Sequence, residues 1–254
     1  MTAIDKAKVA CCFGKSVESY EQHAHVQKEI AAHLAGLAGD YVKPLPAKVL
    51  EVGCGTGLLT GSIKRLWIGC DLWINDLVEG MCMKSAARFC IPASHCLVGD
   101  IEEIPLPGNM DCLLSASVFQ WLSHPQATYA RLAESLSAGG WLVFSTFGED
   151  NCLELREVSG TGLPYLQKEE TIAMLSGHFQ VVCMEEEHRR LYFPDAVQVL
   201  KHIKQTGVNG LAGSQIWTRG KLQDFSARYA RLFACDGMLP LTYHPRYFVC
   251  RKRQ

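Results

Sequence analysis

The stretch Ala47-Lys-Val-Leu-Glu51-Val-Gly53-Cys-Gly55-Thr-Gly57-Leu58 runs from a short apolar segment into alternating glycines and then into a helical pattern over 58–66. Strand, tight turn and helix in that order bring backbone close to a ligand, because glycine adopts conformations closed to other residues. Two common readings of a glycine-rich turn fail here. A dinucleotide-binding turn needs glycine where Leu58 stands, and a phosphate-binding loop ends in Gly-Lys-Ser/Thr, which is absent. What remains is Glu-x-Gly-x-Gly-x-Gly.

Downstream spacing gives this turn partners. Asp76 lies 25 residues after Glu51, past a second strand near 70–75, where a carboxylate can accept both ribose hydroxyls of a nucleoside. Asp100, in Gly-Asp-Ile-Glu, follows a third strand over 94–98. Ligands of open α/β sheets bind outside the carboxyl ends of the strands, so the three elements converge on one crevice. Two carboxylates without a phosphate-binding cation suit a ligand that carries hydroxyls and positive charge, and disfavour NADP and ATP.

The rest of the chain supports an α/β, doubly wound parallel sheet. A fourth strand is predicted over 110–115 and a fifth over 141–147. Between them Ser123 and Gln126 are spaced as a capping box for a helix over 125–137, stopped by Gly139-Gly140. Upstream, 16–38 reads as an amphipathic helix through Val26, Ile30, Leu34 and Leu37. After Gly148 the alternation breaks: a helix over 169–175, a long strand over 179–192, helices over 196–204 (capped by Asp195) and 218–233, a polar glycine stretch at 207–213, and a last strand over 241–251. The chain is expected to form one domain, 1–254: an N-terminal lid helix (1–46), a cofactor-binding core (47–148) and a C-terminal part (149–254) with a helical insertion at about 194–234.

Composition narrows the function classes. The 254 residues carry 25 Lys and Arg against 26 Asp and Glu, so no global field draws nucleic acid or an anionic membrane. The longest uncharged apolar stretches are half the ~20 residues a spanning helix needs, and no apolar block follows the N-terminus, so a soluble cytoplasmic protein is expected. The 12 cysteines include no Cys-x-x-Cys and lie largely in apolar runs, which points to reduced thiols and to no metal site.

The motif set over 49–147 resembles the class I S-adenosylmethionine-dependent methyltransferases, with their Rossmann-like sheet. The resemblance implies that Gly53, Gly55 and Gly57 line the methionine moiety, with Glu51 supporting the loop and its amino group. It places Asp76 on the ribose, Met81 on the adenine region, Asp100 on the adenine amino group, Ile101 against the ring and Ser115 beside the sulfonium; S-adenosylhomocysteine would be the product. The flanks narrow it. Phe13-Gly-Lys-Ser, Tyr20-Glu-Gln-His-Ala-His-Val-Gln27, Phe119-Gln-Trp121, Phe193-Pro-Asp-Ala196, Leu200-Lys-His-Ile-Lys204, Gly207, Leu211, Thr218-Arg219 and Leu239-Pro-Leu-Thr-Tyr-His244 resemble the malonyl-acyl carrier protein O-methyltransferases of biotin synthesis. Glu51 and Thr56 stand where that family commonly has Asp and Pro.

That resemblance implies methylation of the free carboxylate of a malonyl thioester. Tyr20 would lie over the cofactor in a lid with His25 nearby and orient the acceptor, or else pack as a core aromatic; Gln120 would act on the acceptor. Trp121 is either a wall of the acceptor pocket or core. An acidic carrier would dock on a basic surface built from Lys201, Lys204, Arg189, Arg190 and Arg219. Two rivals stand beside this reading: a methyltransferase for a small metabolite such as a quinone precursor, and a non-catalytic module that binds S-adenosylmethionine. Leu58 speaks against a nicotinamide dehydrogenase.

Overall fold

The structure, a computed structural model, describes residues 5–16, 24–206 and 218–253; Tyr20, Gly207, Leu211 and the glycine stretch 207–213 lie outside them. The strands are β1 (Lys48–Val52), β2 (Asp71–Asp76), β3 (Cys96–Val98), β4 (Met110–Ala116), β5 (Leu136–Phe147), β6 (Phe179–Glu186), β7 (Arg189–Phe193), β8 (Leu239–Tyr243) and β9 (Pro245–Lys252). The helices are α1 (Lys6–Ser16), α2 (His25–Tyr41), α3 (Leu58–Leu66), α4 (Glu79–Phe89), α5 (Pro125–Ser135), α6 (Leu153–Ser159), α7 (Lys168–Ser176), α8 (Ala196–Gln205) and α9 (Arg219–Phe233).

Seven strands form one sheet in the order β3-β2-β1-β4-β5-β9-β6, parallel from β3 to β5 and with β9 antiparallel to both its neighbours. Apolar residues fill both faces, as a sheet covered by helices on both sides requires. In β1, Val49 faces a core shared with Ile30 and Leu34 of α2, while Leu50 and Val52 face Tyr129 and Leu132 of α5. The strand order reverses between β1 and β4. A crevice opens there, where strand ends diverge and ligands of such sheets bind.

Some expected boundaries move. No capping box forms at Ser123; α5 begins with Pro125 after His124, and Glu102 supplies the missing acceptor. Its carboxylate accepts from the backbone N–H of Ser123 (2.8 Å) and His124 (2.7 Å) and from the Thr128 hydroxyl (3.0 Å). The helix ends at Ser135, and Gly139-Gly140 lie inside β5, where the register against β4 shifts.

The two long late strands are each broken, and at the same level. β6 pairs with β9 in the large sheet, whereas β7 pairs with β8 in a two-stranded sheet of its own. The segment between β5 and α6, with α6 itself, takes over the backbone groups at the bend. The Glu154 carboxylate accepts from Thr242 N–H (2.9 Å) and its hydroxyl (2.6 Å), Asn151 Oδ1 accepts from His244 N–H (3.2 Å), and Gly148 N–H donates to the His244 carbonyl (2.8 Å). His188 stacks on His244 at 4.1 Å, closing the bend from the other strand. Helices α8 and α9 are inserted between β7 and β8; Asp195 caps α8 by accepting from Gln198 N–H at 2.8 Å. No helix among the described residues is long and apolar enough to cross a membrane.

Candidate active site

The glycine turn closes because Cys54 N–H donates to the Asn75 carbonyl (2.8 Å) and Gly57 N–H to the Cys54 carbonyl (2.9 Å). Gly57, at φ 96°, caps α3, and a Cβ there would meet the Phe89 ring at 2.4 Å, so only glycine fits without displacement. At Gly55 the Cβ direction is open, and the backbone is bare toward the crevice. Asp76, at the end of β2, holds the turn from the other side: its carboxylate accepts from Gly55 N–H and from Val78 N–H, each at 2.8 Å. Burial pushes its proton affinity up, against the pull of those two donors.

Glu51 sits beneath the turn, 1% exposed, and accepts from the Thr60 hydroxyl at 2.6 Å. Burial pushes its pKa up to about 8, opposed by that hydrogen bond and raised further by Asp76. Glu51 therefore supports the loop from below and does not line the crevice.

The crevice has a volume of about 140 Å³. Of the expected cofactor residues, Gly53, Gly55, Asp76, Met81, Asp100 and Ile101 line it together, with Trp121 at its far end. Gly57 does not line it and serves the turn. His25, the exposed first residue of α2, does not line it either. Ser115 is fully buried and donates to the Val52 carbonyl at 3.0 Å, tying β4 to β1 under the crevice. Side chains alternate along a strand, so a shift of one position changes the face. Ala116, Ser117 and Val118 form the rim instead.

Helix α1 forms one wall of the crevice with Lys6, Val9, Ala10 and Phe13, which sequence reasoning missed as site residues. The Lys6 ammonium pairs with Asp100 at 2.5 Å and with Glu102. Burial alone would raise the Glu102 pKa, but Lys6 and the Ser123 and His124 N–H groups outweigh it and hold it below the usual carboxylate range. The available signal was Asp5, which accepts from Lys8 N–H at 3.0 Å as a helix-start residue does.

Beyond Trp121 lie two further cavities. A small one of about 20 Å³ shares Phe13, Ser117 and Trp121 with the crevice. It shares Gln120, Phe147 and Tyr165 with a cavity of about 390 Å³. Gln120 lies in this throat and not in the crevice, held by its amide N–H on the Ser117 carbonyl at 2.6 Å. The indole of Trp121 meets the Phe13 ring edge-on at 6.0 Å. Lys201 and Lys204 are exposed on α8, as are Arg190 on β7 and Arg219 at the start of α9. Arg189 is not available to a docking patch, because it is paired with Glu187 (2.9 Å) and with Glu29 of α2.

A crevice at the β1–β4 reversal, floored by a glycine turn and flanked by two strand-end carboxylates, defines the methyltransferase class. Residues 50–144 match the family model described as a methyltransferase domain. The fold resembles that of the YcgJ protein from Bacillus subtilis (TM-score 0.62, 13% identity, 88% of this chain and 99% of that one). It also resembles the N-methyltransferase NodS from Bradyrhizobium japonicum in complex with S-adenosylhomocysteine (TM-score 0.50, 14% identity, 89% and 87%). The chain belongs to the malonyl-[acyl-carrier protein] O-methyltransferase family. It is 37% identical to the Bacteroides thetaiotaomicron protein of that name, over 99% of this chain and 100% of the relative. It is 36% identical to that of Prosthecochloris aestuarii (99% and 96%) and 31% to that of Acinetobacter baylyi (98% and 98%).

Proposed function

We propose that this protein transfers a methyl group from S-adenosylmethionine to the free carboxylate of a malonyl thioester carried by acyl carrier protein, giving the ester that starts pimeloyl synthesis for biotin. The observation that carries the reading is the crevice itself: bare backbone at Gly55, with Asp76 and Asp100 facing one space. That set of acceptors fits a nucleoside with hydroxyls, an adenine amino group and positive charge. Asp76 would hold the ribose, Asp100 the adenine amino group once Lys6 leaves it, and Met81 and Ile101 the ring. Bound there, S-adenosylmethionine supplies an electrophilic methyl group on a sulfonium.

The chain's own task is then positional. A carboxylate is already an anionic nucleophile at neutral pH, so no general base is needed. Phe13, Val118, Trp121 and Leu122 line the crevice with apolar surface and keep water from the carboxylate. Alignment of the reacting atoms supplies the rest of the acceleration. Tyr20 would complete the lid and orient the acceptor.

The test is transfer of labelled methyl to malonyl-acyl carrier protein, with acetyl and succinyl forms as controls. Base-labile label on the malonyl form alone is expected. Binding of S-adenosylmethionine without transfer to any of the three would move the acceptor elsewhere. Lys201 and Lys204, three apart on α8, would receive the acidic carrier together with Arg190 and Arg219. Reversing both lysine charges should raise the KM for the carrier-bound substrate about tenfold and leave malonyl-coenzyme A turnover unchanged; equal effects on both would refute the docking role.

A further inference from the structure

Strand β3 has three residues, lies at the edge of the large sheet and pairs with β2 alone among the described strands. The loop that follows it carries Asp100 into the crevice. An edge strand is hydrogen-bonded along one side only, and three residues give few bonds to hold the loop beyond. Asn75, the residue before Asp76 in β2, supplies two more. Its Nδ2 donates to the Leu97 carbonyl (2.8 Å) and to the Gly99 carbonyl (3.0 Å). Both partners can only accept, so the NH2 group of the amide must face them.

The same residue serves the other side of the crevice. Its backbone carbonyl accepts from Cys54 N–H in the glycine turn (2.8 Å). Asn75 is 2% exposed, beside the buried Ile74 and Leu72 of the same strand. An apolar side chain would fill such a place without desolvation, so an amide there acts through its hydrogen bonds. Gly99, at φ 132°, follows a path that a Cβ would obstruct, meeting Ile104 at 2.7 Å. The Asp100 carboxylate accepts from Glu102 N–H of its own loop (3.0 Å) and pairs with Lys6 of α1 (2.5 Å). Once Lys6 is displaced, the loop sets where that carboxylate points.

We infer that Asn75 is a positioning residue for base recognition: its amide clamps the loop after β3 and so holds the Asp100 carboxylate where it meets an exocyclic amino group. This rests on the S-adenosyl reading of the crevice above and adds the residue that makes the site select adenine. An ionised carboxylate accepts and cannot donate. It attracts the amino group of adenine and repels a ring carbonyl at the same place, but only while it is held within hydrogen-bond distance. Without the clamp, the Leu97 and Gly99 carbonyls lose their side-chain donor and the loop moves toward water that can replace it. The carboxylate retreats with the loop. Selectivity is then lost before binding is, because the glycine turn and Asp76 stay at the ends of β1 and β2, joined by the Gly55 N–H bond at 2.8 Å.

The test uses the full chain and compares its affinities for S-adenosylhomocysteine and S-inosylhomocysteine, in which a ring carbonyl replaces the adenine amino group. Wild type should prefer the adenosyl form about thirtyfold. Asn75→Leu, which removes both donors, should cut that preference about tenfold and leave S-inosylhomocysteine affinity within about twofold. Asn75→Ser keeps one donor and should cut the preference about threefold; it reads the same effect should the leucine variant not fold. In an Asp100→Ala background, Asn75→Leu should change the preference no further, since it acts through that carboxylate. An equal loss of affinity for both ligands, or an unchanged preference, would overturn the positioning role and leave the S-adenosyl reading standing. A wild type that binds both ligands equally would overturn the Asp100 assignment and the positioning role with it. A wild type that binds neither would contradict the S-adenosyl reading itself.

Discussion

The strands β1 to β4 and the ribbon formed by β6 to β9 solve different problems. In the first region helices follow β1, β2 and β4 while β3 runs on to β4 without one, and the crevice-lining residues sit at strand ends, so Gly53, Gly55, Asp76 and Asp100 meet along one edge of the sheet. In the second, two long strands must bend together and change sheets. The bend is held by Asn151 and Glu154 from outside the ribbon, and by Arg246 of β9 reaching out to the Leu166 carbonyl. A site made of strand ends follows from local pattern, whereas a bend made of distant polar partners does not.

The largest effect is expected in the ribbon. Arg246, 2% exposed, donates to Glu186 (2.9 Å), Glu149 (2.5 Å) and the Leu166 carbonyl (3.0 Å). Arg246→Ala should cost about 2–3 kcal/mol, below the usual figure for breaking a buried pair because both glutamates reach solvent. Thermal unfolding should fall by roughly 5–10 °C. S-adenosylhomocysteine affinity should hold below the new midpoint; its loss would show that the ribbon and the crevice are one unit.

A pH-dependent effect belongs to the strand-end region. Glu51 has a folded pKa raised to about 8 from an ordinary 4.5. The folded state then holds a proton the unfolded state has released, so this contribution is complete below about 4.5 and declines as pH rises until it is gone near 8. Glu51→Gln removes the titration. The variant should gain stability relative to wild type between those values and no more above them. A constant difference across the range, read from unfolding midpoints, would mean that Glu51 is ionised throughout.

The smallest effect concerns α1. Lys6 occupies the carboxylate assigned to the adenine amino group, and both groups are partly solvated. Lys6→Gln should tighten S-adenosylhomocysteine binding about three- to fivefold at low salt, with the gain shrinking as salt screens the wild-type pair. Weaker binding in the variant would make Lys6 a support of the site and not a competitor.

Legibility followed the same division. The convergence of Gly53, Gly55, Asp76 and Asp100 on one crevice was legible because it depends on strand ends alone. Ser115 was misplaced by one position, since only the pairing of β4 with β1 fixes which face it takes. Lys6 gave no local signal of function, and Gln27 only closed a motif that carried the family resemblance. Lys6 pairs with Asp100, 94 positions away, and Gln27 meets the loops after β4 and β5 only through the packing of α2. The broken strands read as continuous because Leu239–Lys252 is apolar throughout most of its length, and no local pattern announces that Asn151 will accept from His244 N–H and Glu154 from Thr242.

The central claim is that the crevice recognises an S-adenosyl group through Asp76 and the bare backbone of Gly55. Titration calorimetry of S-adenosylhomocysteine into wild type and Asp76→Asn tests it most directly. The account predicts saturable one-site binding by wild type and a loss of about tenfold to a hundredfold in the variant, since an amide cannot satisfy Gly55 N–H, Val78 N–H and two ribose hydroxyls at once. Equal affinity in the two proteins would contradict it.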